Sequence, residues 1–215
     1  MESEVQPVVK KSGEEKLAKF ISYILHPLLM PTYGFSIIFF TRNYISTFTP
    51  PRIKFIIIGI TFLFTFLLPT INALILLRIG RIRSLEMETA SERVIPYGST
   101  VLYYFALFYL FFNADFPSIF KILILGAAIS ILLTMLINYK WKISAHTIGI
   151  GGITGASLGI IYRLQLDMNL ILMILLFVSG VVGYARLKMN SHSPAQIYSG
   201  FLLGFSIELL LMIFY

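Results

Sequence analysis

Seven long apolar runs alternate along the chain with short polar connections. They cover Phe20–Thr41, Ile53–Leu77, Tyr97–Phe112, Ser118–Tyr139, Thr147–Tyr162, Asn169–Tyr184 and Ala195–Tyr215. Within lipid only a helix or a closed barrel satisfies its own backbone polar groups, and the ten-residue alternation of a barrel strand is absent here. The pattern therefore predicts an all-α fold, a polytopic transmembrane helical bundle of about six to seven spans, several of them near the short end of the roughly 17–25 residues a span needs. His26-Pro27 and Pro31 interrupt the first run, which is expected to be kinked or partly re-entrant. No repeat or second domain is visible. The organisation expected is a polar, solvated N-terminal tail over 1–19 followed by a single transmembrane domain over 20–215.

Composition agrees with a lipid solvent. Hydrophobic residues make up 57% of the 215 and charged residues 13%, about half the charged share of a soluble domain. The tail mixes Glu and Lys and has no apolar core with a small-residue cleavage site, so it does not read as a signal peptide. With no cysteine, thiolate chemistry and disulfides are excluded. Three histidines and few acids point to no metal centre and no cofactor, and nothing suggests nucleic-acid binding. The connections 78–96, 140–146 and 185–194 are separated by pairs of spans and must share one membrane face. That face and the tail carry twelve of the seventeen Lys and Arg residues, so the positive-inside rule expects it in the cytoplasm.

Two of those connections hold histidines immediately before an apolar run: Ser144-Ala145-His146-Thr147, and Arg186 to Gln196 with His192 between them. A neutral imidazole is a nucleophile and guanidinium grips phosphate oxygens as a fork, so the residue types suit a phosphate ester at a membrane surface. Ser144 can cap the fifth helix, turning the free N–H groups of its first turn and the positive end of its dipole toward an anion.

The spacing Arg186…His192…Gln196, with Gly200 four residues on, resembles the third signature of the type 2 phosphatidic acid phosphatase superfamily, S-R-x5-H-x3-D. Ile143-Ser144-Ala145-His146 is similar to its second, P-S-G-H. The stretch Glu86…Arg93-Val94-Ile95-Pro96 echoes its first, K-x6-R-P, and the resemblance spans roughly residues 80 to 205. It implies metal-independent hydrolysis of a lipid phosphate or pyrophosphate, with His192 the nucleophile that forms a phosphohistidine and His146 the general acid. Arg93, Arg186 and Ser144 would hold the phosphate oxygens. The departures are specific. Ala185 stands in place of the serine, Glu86 in place of the lysine, and Gln196 in place of the aspartate that orients the nucleophilic imidazole and stabilises its charge. In serine proteases the corresponding loss of a carboxylate behind the histidine lowers turnover about 10⁴-fold. The resemblance therefore carries a second expectation from another class, a catalytically impaired relative that binds or transports a phosphorylated lipid; a purely structural subunit is a third.

Gln196 has two readings. It can orient His192, or it can complete a capping box with Ser193 while Pro194 opens the last helix. Replacement carboxylates on the same face are Glu86, Glu88 and Glu92. Asp115 and Asp167 belong to the other face, and Glu208 lies about three turns along the last helix. His26 is expected to serve the helix break ahead of any ligand. Gly151, Gly155 and Gly159 form a small-residue stripe expected to pack helices closely and to bring the His146 and His192 ends together.

Overall fold

In the computed structural model, which describes residues 13–87, 89–114 and 116–214, the apolar runs are helices, and no strand occurs among the described residues. Seven helical stretches are long and apolar enough to cross a membrane: Gly13–Phe40, Pro51–Arg78, Ala90–Asn113, Ser118–Asn138, Ala145–Leu164, Asn169–Lys188 and Pro194–Phe214. The protein is an integral, multi-pass membrane protein. Phe40, Leu102, Leu170 and Phe177 are each more than 60% exposed on the outside of the bundle, the place for side chains facing acyl chains.

Proline sets the breaks within the first two spans. Helix α1 (Gly13–Ile24) ends ahead of a 3₁₀ turn, Pro27–Leu29, and α2 (Met30–Phe40) completes the span. The His26 side chain caps the turn, its Nδ1 accepting from the Leu28 N–H at 3.3 Å, and the Tyr33 hydroxyl satisfies the freed Ile24 carbonyl at 2.8 Å. After the short α3 (Tyr44–Phe48), α4 (Pro51–Phe62) and α5 (Leu68–Arg78) are joined by a π turn over Leu63–Leu67. Pro69 has no N–H to give the Thr65 carbonyl four residues back, and the backbone widens there. Tyr104 donates its hydroxyl to that carbonyl at 3.5 Å.

The remaining spans are α6 (Ala90–Asn113), α7 (Ser118–Asn138), α8 (Ala145–Leu164), α9 (Asn169–Lys188) and α10 (Pro194–Phe214). Helix α6 begins seven residues before the expected Tyr97 because Thr89 and Glu92 close a capping box around its start. Helix α8 is the centre of the bundle: 61% of its apolar window is buried, against 39% for the next. Its glycines make that possible. A Cβ at Gly151 or Gly155 would lie far inside van der Waals contact with the carbonyls of Phe201 or Phe205, and one at Gly204 would strike the Ile148 carbonyl. Helices α8 and α10 therefore touch backbone to backbone, the approach that small residues permit in lipid.

The N-terminal boundary differs from the one expected. Residues 13–19 are not tail but the first half of α1, whereas residues 1–12 lie outside the described residues. The reason is amphipathicity: Ala18 and Ser22 are buried while the other face is exposed, and Glu14 pairs with Lys188 of α9.

Close approach of α8 to α10 predicts a sharp contrast between glycines. Gly155→Ala should lower stability in detergent by about 1–3 kcal/mol, the usual cost of overpacking. Gly180→Ala, at a helical position with nothing within 4 Å, should be neutral or slightly stabilising through helix propensity. Equal thermal unfolding curves for the two variants would contradict the packing described.

Candidate functional site

The N-termini of α8 and α10, the C-terminus of α9 and the start of α6 meet at one end of the bundle. Between them opens a cavity of about 980 Å³ whose walls include His26, Arg93, Lys142, His146, Arg186 and His192. Thus four of the residues singled out by sequence, His146, His192, Arg93 and Arg186, line one space. Ser144 and Gln196 do not line it.

The His192 ring is held from behind. Its Nδ1 lies 3.3 Å from the Lys142 carbonyl and 3.3 Å from the Gln196 Oε1. Both partners can only accept, so Nδ1 carries the proton and Nε2 keeps its lone pair, a tautomer assigned from the partners. The same Gln196 oxygen accepts from the Ser193 N–H at 3.0 Å, and the Ser193 Oγ accepts from the Gln196 N–H at 3.4 Å. Capping and orienting, which looked like alternatives in the sequence, are performed by one amide at once. The capping bond also fixes which end of that amide faces the ring. Burial, and then the Arg186 charge, push the His192 imidazole down to about 4, so it is neutral at pH 7.

Helix α1 closes the cavity from a third side. His146, in the first turn of α8, places Nε2 3.2 Å from the Ser22 carbonyl, and Arg186 donates from Nη1 to the Ser22 hydroxyl at 3.3 Å and to the Met189 sulfur at 3.9 Å. The Arg186 Nε is buried with no partner in the protein. The His26 ring meets His146 edge to face with centroids 5.7 Å apart. Arg93 is buried and anchored, donating from Nε to the Met87 carbonyl at 2.7 Å and from Nη1 to the Asn138 Oδ1 at 3.3 Å. Ser144 is wholly buried and spends its hydroxyl as the α8 cap, accepting from the Thr147 N–H at 3.5 Å.

Of the alternative carboxylates, Glu86 lines the cavity, Glu92 is committed to the α6 capping box, and Glu88 and Asp115 lie outside the described residues. The sequence did not single out Ser22, Lys19 or Lys142 for the site, and it set His26 at the kink ahead of any ligand. The available signal was topological: the end of α1 must lie on the same membrane face as the three polar connections. Among the described residues no group of three or more His, Cys, Asp or Glu is arranged to hold a metal ion. The chain matches no family model, no curated protein and no solved structure.

The depressed His192 value has a consequence for stability. The unfolded chain, with an imidazole near 6.5, binds the proton first, so stability should be full above about pH 6.5 and fall as pH drops toward about 4. His192→Asn should flatten that acid limb. Thermal unfolding in detergent across pH 4–7.5 checks it; identical limbs in both proteins would contradict the assignment.

Proposed function

We propose that the protein is a membrane phosphatase-like enzyme that hydrolyses a lipid phosphate or pyrophosphate through a phosphohistidine on His192, as its resemblance to the type 2 phosphatidic acid phosphatase superfamily implies. The observation that carries this reading is the His192 ring: Nδ1–H is tied to two oxygens, and the lone pair on Nε2 is left for attack within a cavity that also holds Arg186, Arg93 and His146. A phosphate entering there displaces the Ser22 hydroxyl from Arg186 and finds the buried Nε as a further donor for a bidentate contact.

In the reaction Nε2 attacks phosphorus, a P–N bond forms and the ester P–O bond breaks. The leaving oxygen takes a proton from His146, whose protonated form is matched by the ligand's negative charge. Water then cleaves the P–N bond, releasing phosphate and restoring neutral His192, while the proton returns to His146. Positive charge that develops on His192 in the first step is met by the carbonyl dipoles of Gln196 and Lys142. The excess of cations on this face favours a cytoplasmic site.

A second reading, binding or transport of a phosphorylated lipid without turnover, is favoured by Gln196 itself. A neutral amide orients the ring but supplies no countercharge to an imidazolium. The two readings share the anion pocket.

For the pocket, Arg186→Ala should weaken binding of vanadate or a long-chain alkyl phosphate by about 1.5–3 kcal/mol, roughly ten- to a hundredfold, by calorimetry. Unchanged affinity in a folded variant would remove the pocket. For turnover, Gln196→Glu keeps the reach and the cap while adding the missing charge, and Gln196→Asp restores the superfamily residue. One or both should raise hydrolysis of alkyl phosphate or pyrophosphate by orders of magnitude, and His192→Ala should abolish it. If both variants and the parent stay inactive while vanadate still binds, the binding reading replaces the enzyme.

A further inference from the structure

The cavity does not stop at the histidines. Along its α7 wall, Asn138, Thr134 and Ser130 recur every four residues, one above another on a single helix face, and one step further along the same stripe is Gly126. Twelve residues of helix place Gly126 about 18 Å below Asn138, near the middle of a hydrocarbon layer about 30 Å thick. There the Glu208 carboxyl of α10 fills the space that a side chain at position 126 would need. A Cβ on Gly126 would sit 2.6 Å from its Cδ and Oε2 and 2.7 Å from its Oε1. Glu208 is 4% exposed, lines the cavity, and its Oε2 has no hydrogen-bond partner in the protein.

A carboxyl placed there for structure would reach a donor on a neighbouring helix. This one does not, and it is not alone: the Ser130 Oγ and the Asn138 Nδ2, on the α7 wall, are also buried without partners. Buried polar groups are nearly always satisfied by protein or by water, and three orphans around one cavity, two on α7 and one on α10, suit a small hydrogen-bonding species. Asn138 in turn accepts from Arg93, which ties the interfacial end of the stripe to the cations there.

Charged and titratable groups on the surrounding helices are engaged elsewhere. Arg163 of α8 donates to the Met212 carbonyl at 3.1 Å, Lys121 of α7 lies over the Phe112 ring, Tyr104 of α6 donates to the Thr65 carbonyl, and His146 of α8 and Arg186 of α9 stand at the interfacial end with Ser22. An ionisable side chain at this depth, facing a polar cavity, has the placement of a proton carrier.

We propose that Glu208 is a proton-exchange site at the floor of the cavity, reached from the histidine end along the Asn138, Thr134 and Ser130 stripe. Water filling the stripe carries the proton between the interface and the carboxyl. Each exchange changes the charge at the cavity floor, giving the cavity a second ligand besides the anion. The inference stands whether or not phosphate binds at the histidines.

Infrared spectra of the protein in lipid nanodiscs test it. The wild type should show a protonated-carboxyl C=O band that Glu208→Gln removes and that shifts within minutes of transfer to D₂O; Thr134→Leu, which blocks the stripe, should slow that shift at least tenfold. Independently of any variant, dicyclohexylcarbodiimide should label wild-type Glu208, mapped by mass spectrometry, with a yield that falls as pH rises. A band that stays unshifted after a day in D₂O, exchange indifferent to Thr134→Leu, or a Glu208 that resists the carbodiimide at every pH overturns the proposal. Loss of vanadate binding to the wild type would remove the anion pocket and leave this result untouched.

Discussion

Everything at the interfacial end depends on how closely α8 and α10 approach. Glycine at 151, 155 and 204 removes the side chains that would keep the two backbones apart, and Gly200 fits against the Thr147 hydroxyl and the Ser144 carbonyl. That registers the helix N-termini: the Ser144 N–H reaches the Gln196 carbonyl at 3.4 Å, and His192 reaches the Lys142 carbonyl just ahead of α8. In lipid this contact gains little from the hydrophobic effect, because acyl chains are as apolar as leucine. It rests on dispersion and on shape. The two histidine-bearing connections are thus placed by a packing constraint set well below them in the membrane.

A second constraint comes from α1. It is bound to α9 through the Glu14–Lys188 pair and to the cavity through Ser22, whose carbonyl and hydroxyl occupy His146 and Arg186. The Glu14–Lys188 pair is solvent-exposed and contributes little by itself. Ser22 thus gives α1 two polar contacts at the cavity, one of which a group bound to Arg186 would replace.

The chain's apolar runs foretold about six to seven spans, and among the described residues seven helical stretches are long and apolar enough to cross a membrane, with most ends within a turn of those expected. The ends that moved did so for local reasons that a hydropathy pattern does not register. Thr89 and Glu92 start α6 early, and α9 runs on to Lys188, which carries Arg186 on a helix where the pattern had a loop. Proline at 27 was legible as a break. The π turn and the Tyr104 hydroxyl that answers it were not, because they depend on a neighbouring helix.

By itself the sequence determined the class of solvent, the helical architecture and the shared face of the polar connections, and it singled out Arg93, His146, Arg186 and His192 among the basic residues that line the cavity. Each follows from local rules: backbone satisfaction in lipid, span length and the parity of crossings. Only the tertiary structure decided what those residues touch. It gave Gln196 both of its roles, buried the Ser144 cap away from the cavity, brought His26 and Ser22 from the first span against His146, and set the Glu208 carboxyl against Gly126. The reason is distance along the chain. Ser22 and His146 are 124 residues apart, and no periodicity or spacing rule relates them; the rotation and depth at which α1, α7, α8 and α10 pack does.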